Sequence, residues 1–313
     1  MSSHSFHRKG KLMIKRLRIY FKEMYPIIPR FLLGLLLFFE IQLLVILTNG
    51  NGAITIKTGA AEIVGGITIF SFLMVLRIAD DFKDFETDSI LFPERPLPSG
   101  RVHKKDLATV LAIVIPTNVI LNLIFLPNTL FFLLLVAYGF FMSFWFFQKY
   151  KIQKNLLLAL VTHNPIQLVM NAYVISFACA KYNIPLLTVN NILILFTLYF
   201  PGLVWEITRK IRAPQDETEY ITYSKLFGHK KSVVFVLCVM AVDLATTSAL
   251  IWQLYHWAII SVIILYVWLL IQCVMFMKNP ARFRLVNRFE VYEYFAEGSV
   301  VFFVAARLLG WWC

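Results

Sequence analysis

The chain alternates between long apolar runs and short polar breaks. Nine apolar stretches stand out, at 27–48, 60–79, 106–126, 129–147, 156–178, 185–205, 232–252, 256–277 and 294–312. A helix needs about 20 apolar residues to cross a hydrocarbon core roughly 30 Å thick. Most of the nine meet that length, so the pattern predicts an all-α, polytopic membrane protein with nine transmembrane helices. Residues 1–26 read as a basic, amphipathic arm, and 27–313 as a single membrane domain.

Composition agrees with the pattern. Of 313 residues, 59% are hydrophobic and 15% charged, and the mean hydropathy is +0.71. Soluble domains carry about 25% charged residues, so a soluble enzyme and a disordered chain are both excluded. Cys179, Cys238, Cys273 and Cys313 show no paired spacing, and neither a disulfide framework nor a zinc site is expected. No prenylation box is expected at Cys313. The N-terminus reads as a cytoplasmic arm, not a removed signal, since no short apolar run with a cleavage site follows it.

The net charge of +12 invites a nucleic-acid reading, but its distribution removes the need for one. With nine spans, 27 of the 30 Lys and Arg fall on alternate loops of one side. Lys57 and Lys181 fall on the other, and Arg307 lies inside the last span. Positive loops face the cytoplasm, which puts the N-terminus inside and the C-terminus outside. Membrane lipid of anionic charge is a sufficient partner for the basic segment 8–22. No nucleic acid is expected, and the membrane is a bacterial inner membrane or an organelle membrane.

Two long inner loops, 80–105 and 206–231, hold the candidate chemistry. The first runs Asp80-Asp81-Phe82-Lys83-Asp84-Phe85-Glu86-Thr87-Asp88 and reaches Pro93 without a helix breaker. At about 100° per residue, Asp80, Asp84 and Asp88 fall within roughly 80° of one another, and Asp81 widens the arc to about 100°. Carboxylates so close repel, and some stay protonated unless a cation intervenes. A hard divalent ion with oxygen ligands resolves this, and Mg2+ bridges readily to phosphate. The plainer reading is a solvated acidic helix end. The second loop runs Trp205-Glu206 through Arg209, Lys210 and Arg212 to Pro214, Asp216, Glu217 and Glu219. Acids with interleaved bases suit a metal–phosphate complex, although mixed-charge loops are common.

These residues carry a resemblance. Asp80-x-x-x-Asp84-x-x-x-Asp88 is similar to the Asn-x-x-x-Asp-x-x-x-Asp motif of the UbiA superfamily of intramembrane prenyltransferases, with Asp in place of Asn. Arg95-Pro96-Leu97-Pro98-Ser99-Gly100 resembles that family's Arg-Pro-Leu/Ile-x-Ser-Gly segment, and Leu226-Phe227-Gly228 also resembles it. The second motif departs from the pattern: where the family has Asp-x-x-x-Asp, this chain has Glu206-x-x-x-Lys210. The layout covers nearly the whole chain.

The resemblance implies nine helices around a central cavity, a polyprenyl diphosphate substrate bridged by Mg2+, and a lipophilic or aromatic acceptor. On that reading Asp80, Asp84 and Asp88, with Asp81 possible, are metal ligands. Glu206, Asp216 and Glu217 are second-motif metal candidates. Lys83, Arg95, Arg209, Lys210 and Arg212 are diphosphate contacts. Asp80, Asp84, Asp88, Lys210 and His163 form the catalytic set.

Span five adds His163, Asn164, Gln167 and Asn171. Three of these recur every four residues, as a cavity wall or as interhelical hydrogen bonds beside a Pro165 kink. Glu40 and Asp243 line the cavity or pair with each other. Glu293, Glu297 and Arg307 read as helix–helix pairs, and Asn118 and Asn122 as packing groups. Two other functions compete with prenyl transfer. A terpene cyclase would share the ionisation but use no acceptor. A transporter would use the acids as an ion site, although such sites usually lie near the bilayer midplane within repeats, and no repeat is evident.

Overall fold

The structure, a computed structural model, describes residues 3–50 and 56–311. Cys313 lies outside them, as do the side chains of Arg8, Lys9 and Lys11 in the basic arm. Among the described residues all regular structure is helical. Six helical segments are long and apolar enough to cross a membrane: Ile27–Asn49, Ala60–Lys83, Lys104–Phe125, Val189–Thr208, His229–Leu254 and His256–Lys278. The chain is an integral, multi-pass membrane protein.

The other three apolar stretches are helical too, but each differs from a simple span. Thr129–Ser143 has 15 residues, about 22 Å at 1.5 Å per residue, which is short of the hydrocarbon core. The stretch from Leu156 to Tyr182 is broken at Asn164–Pro165. Leu285–Leu308 starts nine residues before the predicted boundary and carries Arg288, Glu290, Glu293 and Glu297. Its early start is fixed by Leu285, Val286, Phe289 and Tyr292, which are buried.

The chain divides into two compact units. The first comprises 1–39 and 57–147, the second 40–56 and 148–313. The first unit contains α1 (Ser3–Glu23), the start of α2 (Ile27–Asn49), α3 (Ala60–Lys83), α4 (Phe85–Leu91), α5 (Lys104–Phe125) and α6 (Thr129–Ser143). Its centre is α3, the most buried of the six long apolar helices. Small residues let helices approach α3 closely. A Cβ on Gly34 would lie 2.8 Å from the Phe70 backbone nitrogen, and one on Gly65 would run into the Phe38 ring. Across α3 and α5, Asn118 and Ser71 exchange hydrogen bonds of 2.6 and 2.9 Å, and Asn122 donates to Thr68 at 2.8 Å. Both asparagines therefore serve packing, as expected. The loop-side end of α3 rests on a cluster of Tyr20, Tyr25, Met74, Ile78, Leu97, Val102 and Leu107.

The second unit holds the rest of α2, then α7 (Lys149–Lys154), α8 (Leu156–His163), α9 (Ile166–Tyr182), α10 (Val189–Thr197), α11 (Phe200–Thr208), α12 (Tyr223–Phe227), α13 (His229–Leu254), α14 (Ile259–Lys278) and α15 (Leu285–Leu308). Val204 and Ile207 of α11, Val236 and Met240 of α13, Cys273 and Phe276 of α14, and Phe289 and Tyr292 of α15 share its core. Apolar contacts alone drive little association between helices in lipid, and polar clasps add to them. Asn49 donates to Asn191 at 3.1 Å and accepts from Thr188 at 2.9 Å.

Candidate functional site

The first acidic segment belongs to the first unit and is almost one continuous helix. Asp84 stands at the junction of α3 and α4 with φ −100° and ψ 8°. The helical ladder still runs through it: Asp84 N–H donates to the Asp80 carbonyl at 2.9 Å, and Asp88 N–H to the Asp84 carbonyl at 2.8 Å. The predicted four-residue stacking of Asp80, Asp84 and Asp88 is thus kept in the backbone, with a bend at the middle aspartate.

The segment supplies its own cations. Lys83 Nζ lies 2.7 Å from Asp80, and Arg95 Nη1 lies 2.7 Å from Asp88. Lys83 is only 6% exposed. Its ammonium sits 4.6 Å from the centre of the Trp145 ring, a cation–π contact. Trp145, Phe146 and Phe147 all have positive φ, between 47° and 57°. Bulky residues rarely adopt that conformation, and here it ends α6 and presents the indole to Lys83.

Asp81 differs from its neighbours. It is buried, Tyr20 of α1 donates to its Oδ2 at 2.6 Å, and Arg77 Nη2 lies 2.6 Å from its Oδ1. Both carboxylate oxygens are engaged. Burial, then the Asp81 charge, pushes the Tyr20 hydroxyl far above the ordinary tyrosine range.

The segment after α4 is a tight turn. Ser99 N–H donates to the Arg95 carbonyl at 2.9 Å and Val102 N–H to the Pro96 carbonyl at 2.9 Å. Gly100 has φ +74°, a conformation that glycine adopts without cost. Leu97 and Val102 are buried beneath it. Arg101 reaches Glu23 of α1 through two bonds of 2.6 and 2.9 Å and the Glu94 carbonyl at 2.6 Å. The Arg101 guanidinium holds the Glu23 carboxyl below the usual range. The turn thereby fixes where Arg95 leaves the chain.

The second acidic segment belongs to the second unit. Glu206, in the last turn of α11, takes two hydrogen bonds from Arg209 and lies 2.9 Å from Lys210 Nζ. Lys210 is 13% exposed and Arg209 44%. The loop then folds back on itself. Tyr223 N–H donates to the Lys210 carbonyl at 2.9 Å, and Arg212 N–H to Ser224 Oγ at 2.8 Å. Glu217 accepts from the Thr222 and Ser224 hydroxyls, one on each oxygen. Arg212 Nη1 donates to Thr218 at 3.1 Å. Asp216 ends the exposed turn Pro214–Asp216. Gly228, with φ +81°, joins α12 to α13.

Among the described residues no three His, Cys, Asp or Glu side chains converge as a ready metal cage. Mg2+ does not need one, since it is usually held by one or two carboxylates with waters and substrate phosphates. Asp80, Asp84 and Asp88, carboxylates one helical turn apart, have the oxygen chemistry for that mode of binding.

The polar stripe of span five is divided. His163 ends α8, with Nδ1 3.0 Å from the Thr162 hydroxyl, and Asn164 and Pro165 form the break before α9. Gln167 donates to Asn171 at 3.1 Å, and Asn171 to the Leu195 carbonyl of α10 at 3.1 Å. Asn171 therefore clasps two helices. Glu40 lies beside Glu297, whereas Asp243 accepts from Thr247 at 3.2 Å and Tyr292 at 3.5 Å. The two acids that the sequence offers to each other thus have different neighbours.

No protein-family model and no curated protein matches the chain. A solved structure does. It is described as "Structural and mechanistic insights into the biosynthesis of Digeranylgeranylglyceryl phosphate synthase in membranes", at a TM-score of 0.62 and 16% identity, over 94% of this chain and 99% of that one. The chain has the fold of that membrane synthase. The resemblance read from the Asp80–Asp88 and Arg95–Gly100 segments is thus borne out in the fold.

On this synthase fold, three residues at the acidic segments escape sequence reasoning. Tyr20 meets Asp81 from 61 positions away, a distance at which no spacing rule applies. Trp145 meets Lys83 only because α6 ends in a left-handed turn. Tyr223 is buried, and among the described residues its hydroxyl has no hydrogen-bond partner. Burial, then the nearby Glu206 charge, pushes that hydroxyl well above the ordinary tyrosine range. Arg77, by contrast, stands four residues before Asp81, a spacing that could have identified it as the partner.

Proposed function

We propose that the chain is a Mg2+-dependent intramembrane prenyltransferase, which moves an isoprenyl group from a polyprenyl diphosphate to a lipophilic or aromatic acceptor. The observation that carries this is the aspartate ladder Asp80–Asp84–Asp88, with bases at hand, on the fold of a membrane synthase. In this reading nine helices span the bilayer with the N-terminus inside, following the charge bias of the loops.

Each residue has a part. Asp80, Asp84 and Asp88 would hold the metal, which when bound would neutralise charge on the leaving diphosphate. Asp81 anchors the helix end to α1. Lys83 and Arg95, which pair with Asp80 and Asp88, would offer their charges to the phosphoryl oxygens. Arg209 and Lys210 would do the same from Glu206, and Arg212 lies in the same loop. Preorganised cations aimed at developing negative charge are the strongest catalytic device open to such a site. Lys210 stands where the resembled family has a second acid, so this loop grips phosphate more than it grips metal. Glu217 keeps the loop folded, and Asp216, on the exposed turn, is the second-motif candidate that can approach a metal. His163 and Asn164, at the α8–α9 break, are candidate acceptor contacts.

That unusual second motif also favours a second reading, a terpene cyclase that ionises the same substrate without an acceptor. The experiment is a product screen on the purified protein. Prenyl diphosphates of increasing length are supplied with Mg2+, with and without lipophilic and aromatic acceptors. A prenylated acceptor supports the transferase. A cyclic hydrocarbon or alcohol formed without acceptor supports the cyclase. No turnover of any prenyl diphosphate contradicts both.

A further inference from the structure

Within the first unit, α1 and the start of α2 enclose an open groove of about 550 Å3. Its walls are Ile14, Leu17 and Phe21 from α1, and Ile27, Ile28 and Pro29 from the entry to α2. Arg18 and Lys22 line the same groove. Leu17 packs onto the buried cluster below, but Ile14, Ile27 and Ile28 are exposed.

Helix periodicity sorts these residues into strips. Counting 100° per residue, Leu17, Phe21 and Ile14 fall within about 60° on α1. Arg18 and Lys22 follow within roughly the next 80°. An apolar strip therefore runs beside a basic one, which is the pattern of a helix lying in a membrane interface. The acid of α1 does not cancel that charge, because Glu23 is held by Arg101. Arg16 points elsewhere and is bidentate on Asp106.

The groove continues downward. Ile28, Leu32 and Leu36 recur every four residues along α2 and are 73%, 58% and 44% exposed. They make one open apolar stripe leading from the groove along a helix long enough to span the bilayer. A cationic rim at the top and an apolar track below match a molecule with an anionic head and a hydrocarbon tail.

We propose that this groove binds an anionic phospholipid, with its phosphate on Arg18 and Lys22 and one acyl chain along Ile14, Ile28, Leu32 and Leu36. The site is separate from the acidic segments and does not depend on the proposed enzymatic activity.

The test is native mass spectrometry of the full chain in detergent, titrated with dioleoyl phosphatidylglycerol or dioleoyl phosphatidylcholine. The anionic lipid is expected to bind on the order of tenfold more tightly, since each surface Lys or Arg attracts anionic lipid. The double variant Arg18→Gln, Lys22→Gln, at exposed positions, should bind both lipids alike. Ile28→Trp, which fills the groove and keeps the charges, should weaken the long-chain lipid. A short-chain phosphatidylglycerol and inorganic phosphate should not compete. Equal binding of the two lipids, selectivity that survives in the double variant, or displacement by inorganic phosphate would each overturn the proposal. So would a dimer mass that Ile28→Trp abolishes, which would assign the groove to a second copy of the chain.

Discussion

Replacing Tyr20 by Phe tests whether Asp81 is an anchor or a ligand. Tyr20 is fully buried and donates a 2.6 Å hydrogen bond to Asp81, whose other oxygen faces Arg77. Tyr20→Phe removes one oxygen and leaves the ring, so no sizeable cavity forms. What is lost is a buried hydrogen bond to a charged acceptor, worth about 1.5–3 kcal/mol. Asp81→Asn keeps the shape and removes the charge opposite Arg77, so a loss of similar size is expected. The two changes remove opposite ends of one hydrogen bond, and a double-mutant cycle should return a coupling of about 1 kcal/mol or more. The assay is reversible unfolding in mild detergent, followed by tryptophan fluorescence, alongside diphosphate release by each variant. If Tyr20→Phe stays within about 0.5 kcal/mol of the parent, the scatter of neutral substitutions, the anchor does not exist. If Asp81→Asn leaves stability intact and abolishes diphosphate release, Asp81 belongs with the metal ligands.

Tyr20 also predicts a pH dependence. Its folded-state pKa is raised, so an unfolded chain releases this proton near pH 10 while the folded chain retains it. The stabilisation is complete below about pH 10 and is lost as pH rises above it. Tyr20→Phe should therefore flatten the alkaline limb of a stability–pH curve, and an unchanged limb would contradict the assignment. In the second loop, Lys210→Ala should lower kcat/KM at least tenfold and more than Arg209→Ala does. Lys210 is the more buried cation, and its charge is less screened. Steady-state kinetics with both variants checks the order. Gly100→Ala should cost about 1–2 kcal/mol, because an L-residue is forced to φ +74°. Thermal unfolding reads that loss directly.

The helical class was legible because lipid imposes a simple rule: apolar runs of span length. That rule locates helices, but it does not decide which of them cross. Thr129–Ser143 is too short by itself, and Leu156–Tyr182 is broken at the proline that the sequence displays. Among the described residues six helical segments satisfy length and apolarity, where the pattern offered nine stretches. The aspartate ladder was legible for a related reason, since i,i+4 spacing is local. Even so, the bend at Asp84 carries no breaker residue and could not be read from the chain. Charge pairing was readable within one helix turn, as for Arg77 with Asp81 or Glu206 with Lys210. Pairing across the fold was unreadable, as for the Tyr20–Asp81 hydrogen bond and the Arg16–Asp106 ion pair. Local rules thus place residues on a helix face, whereas their partners on other helices come from packing.

The most direct measurement is diphosphate release from labelled prenyl diphosphates by the purified parent and by Asp84→Asn, with and without Mg2+. Release by the parent should require Mg2+ and fall by roughly 100-fold or more in the variant, with unfolding stability unchanged. Release that is indifferent to Mg2+, or equal in parent and variant, would contradict the proposed metal site.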